Sequence, residues 1–90
     1  MNGEPRKASV VIDLDALWRS RGKTARHDLI EHYEADAMDA AGRGRDVVLT
    51  GAAPIWLYLR VAHKLHGVAR TLTYLDGQGD RVLVFDHRAG

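Results

Sequence analysis

Hydrophobic positions along the chain fall into short runs separated by polar or glycine-bearing breaks, and their period switches between strand-like and helix-like. Residues 47–50, VVLT, carry no charge and are β-branched or apolar, which predicts a central strand covered on both faces. Gly51 breaks that run, and Pro54, with no N–H to lose and φ already helical, predicts a helix from residue 54. Its apolar face is expected at Ile55, Leu59, Ala62 and Leu65 with Trp56 and Val61 beside them, and Gly67 is expected to stop it in a left-handed cap. Upstream, Val10, Val11, Ile12 and Leu14 predict a first strand, and WRSRGK over 18–23 a basic turn. Thr24 is then the expected N-cap of an amphipathic helix over 25–41. That helix sets Leu29, Ile30, Tyr33, Ala37, Met38 and Ala41 on one side, and Glu31, Glu34, Asp36 and Asp39 mostly on the other. Downstream, residues 68–75 and 81–85 read as two strands joined by the polar turn DGQGD, a hairpin. The order βαβαββ predicts a single small α/β domain over 1–90, Rossmann-like, with a parallel core, one antiparallel edge strand and a loosely held tail at 1–7.

Ninety residues give one small domain that buries a modest share of its surface, so self-association is expected. Thirteen basic and twelve acidic residues leave almost no net charge, which removes the global field that duplex DNA or an anionic membrane would call for. The absence of cysteine excludes disulfides, thiolate metal cages and a thiol nucleophile. No segment reads as a secretory leader or a membrane span, so a soluble cytoplasmic protein is the expectation.

The turn after the central strand carries the first candidate chemistry. The backbone N–H groups of Ala52 and Ala53, at the carboxyl end of a buried strand and the start of a helix, suit a phosphate or ribose approaching a nearly side-chain-free main chain. Close packing of strand on helix explains the same small residues equally well. Neither a G-x-G-x-x-G nor a Walker pattern is present. Asp13 and Asp15, two apart, would share a strand face and could hold a divalent cation, but a loop or capping role is the favoured reading. His27 and His32 are five apart, a poor metal pair, and are expected to face solvent. His63 and His66 close the second helix, Asp76 and Asp80 flank the hairpin turn, and His87 follows the last strand, which together offers acid/base groups or oxygen and imidazole ligands.

The run GAAPIWLYLRVAHKLHG followed by YLDGQGDRVLVFDH resembles the small stand-alone ring nucleases of type III CRISPR systems, within the CRISPR-associated Rossmann-fold group. The PIWL and AHKxH elements carry the likeness, over roughly residues 46–87. The resemblance implies binding of cyclic tetra-adenylate or short RNA 3′ ends and cutting with manganese. It also implies homodimers that stack on the ligand, one dimer holding the ring and a histidine of another completing the site. By position it makes His66 the catalytic histidine, Asp76 its acidic partner and the metal ligand, and Thr50, Gly51, Ala52, Ala53, Asp13 and Gln78 the ligand-binding set. The chain departs from the family pattern where Ala52 replaces a bulky basic residue, Ala53 a glycine, and Gln78 stands about where the hairpin arginine would be. A module that binds a cyclic oligoadenylate without cutting it is therefore the rival reading. A third is an assembly domain whose Trp56 and Tyr58 face a partner.

Overall fold

The computed structural model describes residues 9–88, so the tail expected at 1–7 lies outside the described residues. Four strands, β1 (Val10–Asp13), β2 (Asp46–Thr50), β3 (Thr71–Leu75) and β4 (Arg81–Asp86), form one sheet in that order. The first three run parallel and β4 pairs antiparallel with β3, so the architecture is the α/β sheet that the order of elements predicts. Three helices accompany it, α1 (Leu14–Arg19), α2 (Ile30–Ala41) and α3 (Ile55–Leu65).

Helix α1 is absent from the sequence-based expectation. Asp13 ends β1 and caps α1, its Oδ1 accepting from the N–H of Asp15 at 2.9 Å and of Ala16 at 3.3 Å. Asp15 therefore lies in the first helical turn rather than beside Asp13 on a strand face, and the capping reading of Asp13 holds. Thr24 caps nothing. The chain passes through a short 3-10 turn at His27–Leu29 before α2, and the Tyr33 hydroxyl accepts the Arg26 N–H at 3.1 Å, holding that lead-in segment out of the helix.

The core lies on one side of the sheet. Ile12, Val47, Leu49 and Leu72 meet Tyr33, Ala37 and Ala41 of α2 and Leu57, Val61 and Leu65 of α3. This corrects the expected face of α3, because Ile55 is 77% and Leu59 65% exposed. The Leu57–Val61–Leu65 stripe at four-residue steps is the one that meets the sheet, and it shares only Leu65 and the flanking Val61 with the expected face. Glu34 is not on the outer side of α2 either. It is 4% exposed and accepts from Arg60 Nε of α3 at 2.9 Å, which gives a buried carboxylate the partner it requires. Gly67 does not adopt a positive φ, and α3 ends instead on tightened turns in which His66 caps the helix and the N–H groups of Gly67 and Val68 return to Lys64 O and Leu65 O at 3.3 and 3.0 Å.

Both α2 and α3 pack on the same side, as right-handed crossovers between strands adjacent in order require. The opposite side presents Val11, Val48, Thr73 and Leu83 in one row of register partners, and no helix belongs to its core. Helices cover the central strand on one face only, yet Val48 on the other face is also just 6% exposed, so the strand is buried on both sides as expected.

Candidate functional site

Three strands point their carboxyl ends at one place, and a left-handed glycine turn sits there. Gly51 takes φ 102°, a left-handed value, and a Cβ built on it would collide with Asp13 Oδ1 and lie 2.9 Å and 3.0 Å from the backbone nitrogens of Asp15 and Leu14. Both conformation and space therefore demand glycine. The turn is held by two aromatic side chains. Tyr58 donates its hydroxyl to Gly51 O at 2.6 Å, and Trp18 Nε1 donates to Ala52 O at 3.0 Å. Thr50 donates its hydroxyl to Leu75 O at 2.8 Å, so β2 and β3 stay joined beyond their last register pair.

These contacts fix the polarity of the turn. The carbonyls of Gly51 and Ala52 are both engaged, while among the described residues the backbone N–H groups of Ala52, Ala53, Ile55 and Trp56 find no acceptor. The proline that opens α3 offers no side-chain cap. Unpaired donors and the positive end of an eleven-residue helix dipole thus occur together. Beside them lies an open groove of about 450 Å³, lined by Thr50, Gly51, Ala52, Ala53, Tyr58 and Tyr74 among others. Tyr58 and Tyr74 meet edge to face at 5.3 Å and form its aromatic wall. Desolvation, and to a lesser extent Tyr74 and Asp13, push the Tyr58 phenol up to about 12, so it remains a donor across the neutral range. A wider hollow of about 580 Å³ opens on the β1 edge, but the guanidinium that lines it, Arg21, is already bound to Asp36 by two hydrogen bonds of 2.6 and 2.8 Å. The smaller groove holds the unspent donors.

The expected site residues divide between the two ends of the sheet. Asp13, Thr50, Gly51, Ala52, Ala53, Asp76 and Gln78 are at the carboxyl end. Asp76 closes the hairpin turn, its Oδ1 accepting the N–H of Gln78 and of Asp80 at 2.9 Å each. His66, at the far end of α3, is beside the start of β3. Its ring stands edge-on to Phe85 at 5.1 Å and to His87 at 4.6 Å, at the amino end of the sheet. The length of β3, of the order of 15 Å for its five residues, separates His66 from Asp76, so one chain does not bring them together. His27 packs edge-on against Trp56 at 4.5 Å, and His63 and His32 are exposed. Trp18 and the hydroxyl of Tyr58 are the turn-holding groups that sequence reasoning missed. An Asp13 cap followed by Leu14 and Leu17 at helical spacing was the signal that would have placed Trp18.

Among the described residues no three His, Asp or Glu side chains gather to hold a metal ion. Oxygen donors suit manganese, but within one chain the hairpin offers only the two carboxylates Asp76, half engaged by its own turn, and Asp80, which fall short of a protein cage.

The fold is a small Rossmann-like α/β sheet with a glycine turn at the carboxyl end of its central strand, the place where open α/β sheets bind ligands. A family model described as CRISPR-associated protein (Cas_csx3) matches residues 35–89, more than half of the chain, and the chain belongs to that family. Comparisons with curated proteins and with solved structures give no match. Among the described residues no helix is long and apolar enough to cross a membrane.

Proposed function

We propose that the protein binds cyclic tetra-adenylate at the carboxyl end of the sheet and cuts it to linear products, which would switch off type III CRISPR signalling. The observation that carries the reading is the Gly51–Ala53 turn, where Tyr58 and Trp18 occupy the Gly51 and Ala52 carbonyls and the N–H groups of Ala52 and Ala53 have no acceptor among the described residues. Such a turn selects an anion over a cation. The Tyr58–Tyr74 wall gives a base a surface to stack on. Family membership supports the CRISPR setting, and the cyclic ligand and its cleavage are our inference.

Cleavage needs no water. The 2′-hydroxyl attacks the adjacent phosphorus, a P–O bond forms to O2′, and the P–O5′ bond breaks; one proton leaves O2′ and one reaches O5′. His66 is the group assigned to one of these transfers. Since His66 sits at the opposite end of its own chain from the Gly51 turn, its role requires a second copy to bring its amino end onto the first copy's bound ring. That placement agrees with a site completed between stacked subunits and disfavours a self-contained one. Donors at the turn would stabilise the charge that grows on the phosphoryl oxygens. Manganese, if bound by Asp76 and substrate phosphate oxygens, would add Lewis-acid polarisation, and no step above is assigned to it.

Gln78 at the hairpin, where the family pattern carries arginine, favours a second reading in which the ring is bound but not cut. One experiment separates them. Pure protein is incubated with labelled cyclic tetra-adenylate, with and without manganese, and both retention and product are followed. Linear product supports the first reading, retention without product the second, and absence of both at high protein concentration defeats the ligand assignment.

A further inference from the structure

The amino end of the sheet carries arginines as well as imidazoles. Arg45 before β2, Arg70 before β3 and His87 after β4 extend the register of Asp46, Thr71 and Asp86 by one step: the Arg70 N–H donates to Arg45 O and the His87 N–H to Arg70 O, both at 2.8 Å. The Gly44 N–H donates to Val68 O at 2.8 Å and ties the loop before β2 to the loop before β3. Backbone neighbours in such a row stand about 5 Å apart. Arg70 is thus fixed between a second arginine and the histidine whose ring meets His66 at 4.6 Å, and Arg45, Arg70, His66 and His87 are all exposed.

The acids nearby are already engaged. Asp46 Oδ1 accepts from the Thr71 hydroxyl at 2.8 Å, and the Asp86 carboxylate accepts from the Arg88 backbone N–H at 2.8 Å and from its guanidinium at 2.6 to 3.1 Å. Those bonds to Arg88, more than the charge of Arg70, pull the Asp86 carboxyl down to about 2. Neither Arg45 nor Arg70 has an ion-pair or side-chain hydrogen-bond partner among the described residues. Arg45 has a structural explanation, since its Nε lies beside Gly42 at the C-terminal end of α2, where a cation complements the helix dipole. Arg70 has none. Two cations at neighbouring strand ends repel one another, a cost that an anion between them removes.

We propose that Arg70, with Arg45 beside it, binds the phosphate group on which His66 acts. A guanidinium presents its N–H groups as a rigid fork that matches two oxygens of one phosphate, and it keeps its charge at any working pH. The anion site stands on the arginines alone, and its use in cleavage rests on the proposed function. Gln78 carries no charge where the family pattern has arginine, and the donors of the Gly51 turn are main-chain N–H groups. The cation that meets the charge growing on the phosphoryl oxygens then arrives together with His66, on the amino end of the second copy.

Two measurements test it, the first without any nucleotide. Wild-type protein is titrated with pyrophosphate, a small anion with two phosphate groups, and the imidazole signals of His66 and His87 are followed by NMR at fixed pH. A saturable shift is expected, with affinity lowered tenfold or more in Arg70→Gln, less in Arg45→Gln, and unchanged in Arg81→Gln, which removes the same charge at the other end of the sheet. The melting temperature of Arg70→Gln should hold or rise, because a repelling charge is gone. No shift in the wild type, an Arg70→Gln protein that binds as the wild type does, or an equal loss in Arg81→Gln overturns the proposal. The second measurement is cleavage of labelled cyclic tetra-adenylate. Arg70→Gln should cut about 100-fold more slowly and Arg70→Lys recover part of that rate, since one donor to a developing oxyanion contributes on that scale. A ring cut equally fast by Arg70→Gln overturns the role in cleavage. A wild type that binds pyrophosphate beside His66 but cuts no ring upholds the anion site and defeats the proposed cleavage instead.

Discussion

The two ends of the sheet differ in what they offer chemically. At the carboxyl end, side chains are spent on shaping the backbone: Asp13 caps α1, Tyr58 and Trp18 take the turn's carbonyls, and Thr50 ties β2 to β3. What remains free at the Gly51–Ala53 turn is main-chain N–H. At the amino end the balance is reversed. His66, Phe85 and His87 form a cluster of rings, fixed through the His87 N–H donating to Arg70 O at 2.8 Å, and the imidazoles rather than the backbone are what can react. On the proposed reading, one end holds an anion and the other moves a proton, so a chain that separates these roles by the length of its sheet would use a second copy to bring them together.

The largest test of that contrast is His66→Ala. On the proposed reading it lowers cleavage by about 100- to 10,000-fold while the melting temperature and ring binding change little, because acid/base groups contribute on that scale. The complementary variant is Asp76→Asn at the other end. Mixing the two inactive proteins should restore part of the activity, since one intact carboxyl end can then meet one intact amino end from a different chain. No recovery at any ratio would mean that both groups act within one subunit or that neither is catalytic, and a His66→Ala protein that merely melts earlier with an unchanged rate per folded molecule would make the histidine structural.

A second test asks whether the carboxyl end is as backbone-determined as it looks. Gly51→Ala should destabilise the fold by about 3 kcal/mol in denaturant titration, from the left-handed conformation together with the collision of a Cβ with the Asp13 carboxylate. A bulky residue at Gly51 therefore disrupts β1 and α1 as well as any ligand, which makes it a poor probe of binding alone. An alanine variant as stable as the wild type would contradict the turn geometry on which the donor argument stands.

How much of this was readable beforehand depended on local signals. The sheet order was, because VVLT, VARTLTYL and RVLVF are each apolar runs bounded by turn chemistry, and adjacency of successive elements then leaves few topologies. Helix α1 was hidden because Leu14 continues the apolar run of β1 and the helix has only six residues, so no period could emerge. The face of α3 was misjudged for the opposite reason. IWLYLRVAHKL is apolar on most sides, and Ile55–Leu59 and Leu57–Val61–Leu65 are both valid stripes; only the sheet decides which is buried. For the site, Gly51 and the alanines after it stand out in the sequence by their size alone. Their polarity does not, since it comes from Trp18 and Tyr58, one reached across 34 positions of chain. Likewise AHKxH marks His66, while its separation from Asp76 is a property of the folded strand between them.

The smallest expected effect sharpens the account of the turn's polarity. Tyr58→Phe keeps the ring against Tyr74 and removes the hydroxyl that occupies Gly51 O, so stability should fall by about 1 kcal/mol, the net worth of one hydrogen bond. Ring binding should fall with it, modestly, because the freed carbonyl now presents a negative pole beside the phosphate donors. The same hydroxyl predicts an alkaline signature. Its ionisation is pushed from the ordinary phenol value of 10.0 up to about 12 in the folded protein, so the unfolded chain releases that proton first as pH rises. The contribution of Tyr58 to stability is therefore complete below about pH 10 and is lost between about 10 and 12, and Tyr58→Phe should flatten the stability profile across that window. Absorbance titration at the tyrosinate band checks the assignment directly: a phenol ionising near pH 12 in wild-type protein should be missing from the variant. If a phenol ionising there persists in Tyr58→Phe, the shifted group is a different tyrosine, and the carbonyl of Gly51 is free to repel the anion that the turn is proposed to hold.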